Sequence, residues 1–344
     1  MLRLFRLIGV IYRPFCRAPC LISSARVNNF GVDQSVGQAR PCRKRRFKKT
    51  AMNFELIARA LMSGILMGAI YGVLGMGFTM VYGIVDLPVF AHGVFALWAM
   101  YVLVVMLNYT GVGPYPGFIL LFAVAYLFGV VLYKAMLRYI LDIEHEMQLV
   151  FCLGLLIALA NIALVIFGPT SLLMSVEWLE HIVFVREVSL KTATIVGGVV
   201  SVLFIMCMEL FFKRTETGKA IRACADNRRG ARLIGLNVER MYTIAIGISL
   251  VCSAVAGLAF APLVPIHPEL GFEYAVLACL VAVLGGAGDM KGALIAGFIM
   301  GVLLSCQQMF YDLTLSRCIL YGIMLGILMI RPTGILGKGK SYAK

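Results

Sequence analysis

The chain has 344 residues, 61% of them hydrophobic and 14% charged, with a mean hydropathy of +0.92; an ordinary soluble domain is about half apolar and about one-quarter charged. This composition excludes a water-solvated globule. The formal charge of +14 looks like a nucleic-acid footprint, but residues 1–51 hold 12 Lys or Arg against the single acid Asp33, while residues 52–344 hold 19 against 16. The apolar part is nearly neutral, and no nucleic-acid partner is implied.

In chain order, residues 1–51 form an Arg-rich leader whose apolar run, Leu7 to Tyr12, is too short to span. It reads as a disordered basic arm or as an over-extended start, with Met52 opening the membrane permease domain 52–337 and a tail over 338–344. A helix needs about 20 mostly apolar residues to cross a hydrocarbon core of about 30 Å. Such stretches predict spans at 56–82, 89–107, 117–134, 147–168, 191–212, 241–262, a broken pair at 274–286 and 292–307, and 316–330. The expected fold is an all-α polytopic membrane protein with 8–9 transmembrane helices.

The linker 108–116 is uncharged, whereas 213–240 carries Lys213, Arg214, Lys219, Arg222, Arg228, Arg229, Arg232 and Arg240, which places it in the cytoplasm by the positive-inside rule. That choice puts 134–146 and the tail inside, and 169–190 and 263–273 outside. It also puts the N-terminus of the first span outside, at odds with a leader of charge +11; this favours a start at Met52. Alternatively, 83–93 is a re-entrant break rather than a full loop.

Gly64, Gly68 and Gly72, Gly297 and Gly301, and Gly322 and Gly326 recur at four-residue spacing, which allows close helix packing. Two segments interrupt the spans, VYGIVDLPVFAHG at 81–93 and LGGAGDMKGALIAG at 284–297. Each combines glycines with an acid that reads as buried, Asp86 or Asp289. Broken helices at matching places in two halves mark a solute path in transporters, because freed backbone dipoles can face a polar solute. His92 and Asp86 are candidates because ionisable groups at membrane depth are expensive; both could instead be hydrated at an interface.

Other motifs have little context. Gly334, Gly339, Lys340 and Ser341 fit a phosphate-loop pattern, but no helix can follow so close to the chain end to receive the phosphates, so ATP must be used elsewhere. His92, His145, His181 and His267 lack metal-ligand spacing, no catalytic grouping can be drawn, and the cysteines inside spans behave as small hydrophobes. Neither metal nor enzyme chemistry is expected. The basic segment 215–240 mixes charge with Ala220, Ala223, Ala231, Leu233, Ile234 and Leu236 between the turn points Gly218 and Gly235, so it fits either a lipid surface or a docking partner.

TGKAIRACADNRRGARLIGLNV at 217–238 resembles the coupling-loop motif of branched-chain amino acid ABC permeases, in which Gly218, Ala220, Arg222, Ala223, Asn227, Ala231, Leu233 and Gly235 all fit. IYGVLGMGFTMVYGIVDLPVFAHG at 70–93, VLGGAGDMKGALIAG at 283–297 and RPTGILGKG at 331–339 are also similar to that family, in its order. Pro88 and Val89, and Asp289 where a serine is common, depart from its usual pattern, which bears on solute specificity. The resemblance implies a second homologous permease subunit, two cytoplasmic ATP-binding subunits, an extracytoplasmic solute-binding protein and a place in a bacterial inner membrane. It assigns 215–240 to coupling with the ATPases, and Asp86, Phe90, His92, Gly93, Gly285, Gly286, Gly288 and Asp289 to the translocation path. Leucine, isoleucine and valine are the expected solutes; urea or short amides, and a secondary-transport mechanism, are the alternatives.

Overall fold

The computed structural model describes residues 54–110, 117–141, 143–174, 176, 179, 181–185, 188–286, 288–331 and 334. The basic leader, the tail 338–344 and three members of the phosphate-loop pattern lie outside these residues. The elements are α1 (Phe54–Val85), α2 (His92–Thr110), α3 (Phe118–Ile140), α4 (His145–Phe167), strands β1 (Ile182–Val185) and β2 (Val188–Lys191), α5 (Thr192–Arg214), α6 (Glu216–Asp226), α7 (Arg228–Leu233), α8 (Val238–Phe260), α9 (Leu270–Gly285), α10 (Met290–Gln307) and α11 (Leu313–Ile330). Among the described residues eight helices are long and apolar enough to cross a membrane, and α9 is a shorter apolar helix.

Each expected span is a helix, displaced by a few residues at its ends. The hydrophobic runs are apolar all round, as expected of helices solvated by lipid and by one another. α1 and α8 are the most enclosed, while α3, α4, α5 and α11 expose most of their surface. The peripheral helices therefore meet lipid or another subunit, and the two central ones carry the core. α3 contains a π turn over Tyr133–Leu137.

Glycine spacing explains the tightest crossing. A Cβ on Gly68 would lie 2.8 Å from the Phe298 Cα, and one on Gly64 2.7 Å from the Val302 Cα, so α1 and α10 touch backbone to backbone. Gly297 and Gly301 meet Gly72 and Gly68 from the other side. The third expected pair behaves differently: nothing lies within 4 Å of a Cβ on Gly322 or Gly326. Their shared spacing marks a small-residue face but, among the described residues, not a contact.

The segment 169–190 holds a short antiparallel hairpin, with Ile182 opposite Lys191 and Val185 opposite Val188. Leu172 and Ile266 exchange backbone hydrogen bonds of 2.8 Å in both directions. This bridge joins the 169–190 segment to the chain just before α9, on the side that the charge pattern places outside; the last residues of the expected loop 263–273 belong to α9.

Candidate functional site: the coupling segment and the two helix breaks

The basic segment 215–240 is two short helices built by their caps. The Thr215 hydroxyl accepts from the Gly218 N–H at 3.0 Å and donates to the Phe211 carbonyl at 2.7 Å, ending α5 and starting α6 together. The Asn227 side chain accepts from the Gly230 N–H at 2.9 Å to start α7, and Asn237 accepts from the Arg240 N–H at 3.1 Å to start α8. Gly235 has φ +84°. The Leu236 N–H then reaches the Ala231 carbonyl at 3.0 Å and the Gly235 N–H the Arg232 carbonyl at 3.1 Å, the paired bonds of a Schellman end that only glycine accommodates at little cost.

Those caps sort the candidate coupling residues into an inner and an outer set. Gly218, Ile221, Cys224 and Ala231 are buried, and burial pushes the Cys224 thiol up. A Cβ on Gly218 would lie 2.6 Å from the Phe211 carbonyl oxygen. Arg222 donates to the Phe212 carbonyl at 2.6 Å, bringing a cation to the C-terminus of α5, where the helix dipole favours it. Gly218, Arg222, Asn227, Ala231 and Gly235 therefore hold the segment together. Ala220 and Ala223 instead line a shallow depression with Thr217, Leu236 and Met241, and Leu233 is 88% and Ile234 74% exposed.

The cap geometry gives a direct expectation for this segment. Asn227→Ala leaves the Gly230 N–H without its acceptor, at a cost of about 1 kcal/mol. We expect trypsin to cut after Arg228 or Arg229 severalfold faster in that variant, at unchanged membrane abundance. Equal cutting rates would show that the cap does not order α7.

The first break places its residues at two depths. α1 ends next to Asp86, which has φ +58° and is exposed, as in the reading that leaves this acid hydrated at an interface. The chain then climbs back through Leu87 to Ala91, all buried except the half-buried Phe90. A Cβ on Gly77 would lie 3.6 Å from the His92 ring, and Gly77 stands about 12 Å above the end of α1 at 1.5 Å per residue. α2 therefore starts about 12 Å back from the end of α1, and 86–91 doubles back along that helix. His92 is fully buried, its Nδ1 2.8 Å from the Val89 carbonyl oxygen, with Phe78 and Phe95 edge-on at 5.7 and 6.2 Å. Its Nε2 is buried without a hydrogen-bond partner among the described residues. Gly93 is wedged against the Gly271, Tyr274 and Ala275 backbone.

The second break lies at the inner end. Gly286 and Gly288 have φ +104° and +90°, conformations that favour glycine. Asp289 is half-buried, and its carboxylate accepts from the Lys291 N–H at 3.0 Å to start α10. Gly285 lies directly against Gly292 and Ala293, and a Cβ on Gly83 would lie 2.6 Å from the Gly288 Cα. The inner end of α1 thus meets the second break, whereas His92 and Gly93 stand deeper. Gly334, from the family-like segment at 331–339, sits against Gly286 and Val283.

The family described as branched-chain amino acid transport system / permease component matches residues 60–328. The chain belongs to that family. It is 27% identical over 298 residues to the high-affinity branched-chain amino acid transport system permease protein LivH of Salmonella typhimurium, covering 83% of this chain and 97% of the relative. LivH of Escherichia coli K12 is 26% identical at the same coverage. The permease protein BraD of Pseudomonas aeruginosa is 26% identical over 294 residues, covering 81% of this chain and 95% of the relative. No solved structure matches.

The permease also carries a polar cluster that the sequence reading passed over. Arg317 on α11 donates to Glu273 on α9 at 2.6 Å, and Tyr71, Tyr274 and Tyr321 lie within the electrostatic reach of both. The available signal was a lone charge inside each apolar helix, the same signal that singled out Asp86 and His92.

Proposed function

We propose that this chain and a second, similar permease form the membrane passage of an importer of branched-chain amino acids in a bacterial inner membrane. Two cytoplasmic subunits hydrolyse the ATP, and an extracytoplasmic binding protein delivers the solute. The permease holds no cofactor of its own. The observation that carries the coupling role is the outer surface of α6 and α7. Two large apolar side chains, Leu233 and Ile234, project beside a depression lined by small ones, while the other motif residues are spent on holding that surface in shape. The two breaks, re-entrant at His92 and inner at Gly286, serve in this reading as path elements, because backbone that leaves the helix within a membrane must be lined by protein or water.

The names of the relatives support branched-chain amino acids as the solute. In cells lacking their own importer and supplied with the whole system, labelled leucine uptake should be competed by excess isoleucine and valine, not by urea or acetamide. It should continue when an ionophore collapses ion gradients. Competition by the amides would change the solute, and loss of uptake with the ionophore while ATP is maintained would indicate secondary transport.

A further inference from the structure

Building on the permease reading above, we propose that Glu273 and Arg317 form a membrane-depth site for the zwitterionic head of an amino acid. Glu273 takes the ammonium group and Arg317 the carboxylate. Depth is the first argument. α9 packs against the start of α2, with Gly271 on Val94 and Gly93 on Ala275, so Glu273 lies near the re-entrant start of α2. The rings of Tyr71, Phe260 and Tyr274 form a continuous wall, at 5.3 Å and 4.8 Å between successive centroids, and about 21 Å of α1 extends outward of Tyr71. The ion pair therefore stands near the level of Tyr71, about 21 Å along α1 from its outer end.

Exposure is the second argument. The Glu273 and Arg317 side chains are 31% and 26% exposed on the surface of this chain. Ionisable groups at that depth do not face lipid tails; they face a bundle interior or a water-filled path. The face of α9 and α11 that carries them is therefore turned toward the passage.

Unused bonding capacity is the third argument. Glu273 Oε1 accepts from Arg317, but Oε2 is buried without a partner among the described residues, and a carboxylate oxygen shielded from water requires a donor. An ammonium group supplies three. Arg317 has five N–H donors and, among the described residues, uses one on Glu273, which leaves the guanidinium able to grip a second carboxylate. A neutral pair receiving a neutral zwitterion adds no net charge to a low-dielectric site, so the solute can bind and leave. An isolated acid or base there would hold it too tightly or repel it. The aromatic wall offers apolar surface to a branched side chain.

The alternative role of the pair is a clamp between α9 and α11, and the test separates the two with the complete importer in cells. Labelled leucine uptake, membrane abundance and ATPase co-purification are measured for Glu273→Gln, Arg317→Met and the exchange Glu273→Arg with Arg317→Glu. We expect both single variants to lose at least about tenfold in uptake, the factor of one charge-assisted hydrogen bond, with abundance falling far less. The exchange restores the ion pair but reverses the head groups relative to the aromatic wall, so abundance should return and uptake should not. Wild-type uptake in both single variants, or recovery of uptake along with abundance in the exchange, would overturn the site. Failure of the wild-type system itself to import leucine would overturn the permease reading on which the site rests.

Discussion

Replacing Gly93 with alanine is expected to remove most of the folded protein from the membrane. A methyl group there would fall on the Ala275 nitrogen and the Gly271 carbonyl oxygen, which are backbone atoms of a packed helix and cannot rotate aside as a flexible side chain can. Overpacking a well-filled core costs up to about 3 kcal/mol, a large part of a total stability of about 5–15 kcal/mol. The contact also fixes where α2 begins, so relief would need α2 and α9 to separate at the re-entrant break. Gly322→Ala is the matched control on α11, where the added methyl meets nothing, and its abundance should equal wild type. Detergent-extracted, monodisperse protein per cell is the readout. Wild-type abundance of Gly93→Ala combined with lost uptake would instead make the break a pathway element with room to spare.

Much of this architecture is legible in the sequence because lipid leaves a strong signal. Every expected span is a helix, and the charges of 213–240 mark one side of the bundle. The depth of the first break was less legible. Leu87, Pro88, Val89, Phe90 and Ala91 read alike as a surface loop or as a strand of chain returning into the membrane, and only the Gly77 to His92 contact separates these cases. Asp86 reads either as a buried acid, because its neighbours are apolar, or as one hydrated at an interface, and its exposure at the end of α1 is the second case. Spacing could not tell the tightly packed Gly297 and Gly301 from the open Gly322 and Gly326, since both pairs sit four residues apart and only the neighbouring helix distinguishes them.

The basic segment 215–240 illustrates the same limit. Ala223 and Ala231 are the same residue type in one motif, but the Asn227 cap restarts the helix between them. Ala231 consequently points inward and is 3% exposed, whereas Ala223 lines the outer depression. A charge at Ala231 would damage the segment itself, so it cannot report on docking. A charge at Ala223 can.

The second large effect follows from that distinction. If α6 and α7 dock on an ATPase subunit, Ala223→Arg and Ala223→Glu each place a charge in a contact that loses water, where an unpaired charge costs several kcal/mol. Leu233→Asp removes an exposed apolar anchor and adds the same kind of cost. All three should insert normally, because none lies within a membrane span. If the segment lies on anionic lipid instead, Ala223→Arg adds attraction and only the acidic variants weaken binding.

The deciding measurement is ATPase co-purification with the tagged permease, taken together with leucine uptake, for Ala223→Arg beside Ala223→Glu. The docking account predicts that both variants lose the ATPase by at least about tenfold, with uptake falling alongside. Full ATPase recovery and wild-type uptake in Ala223→Arg would contradict it and remove this surface from the coupling mechanism.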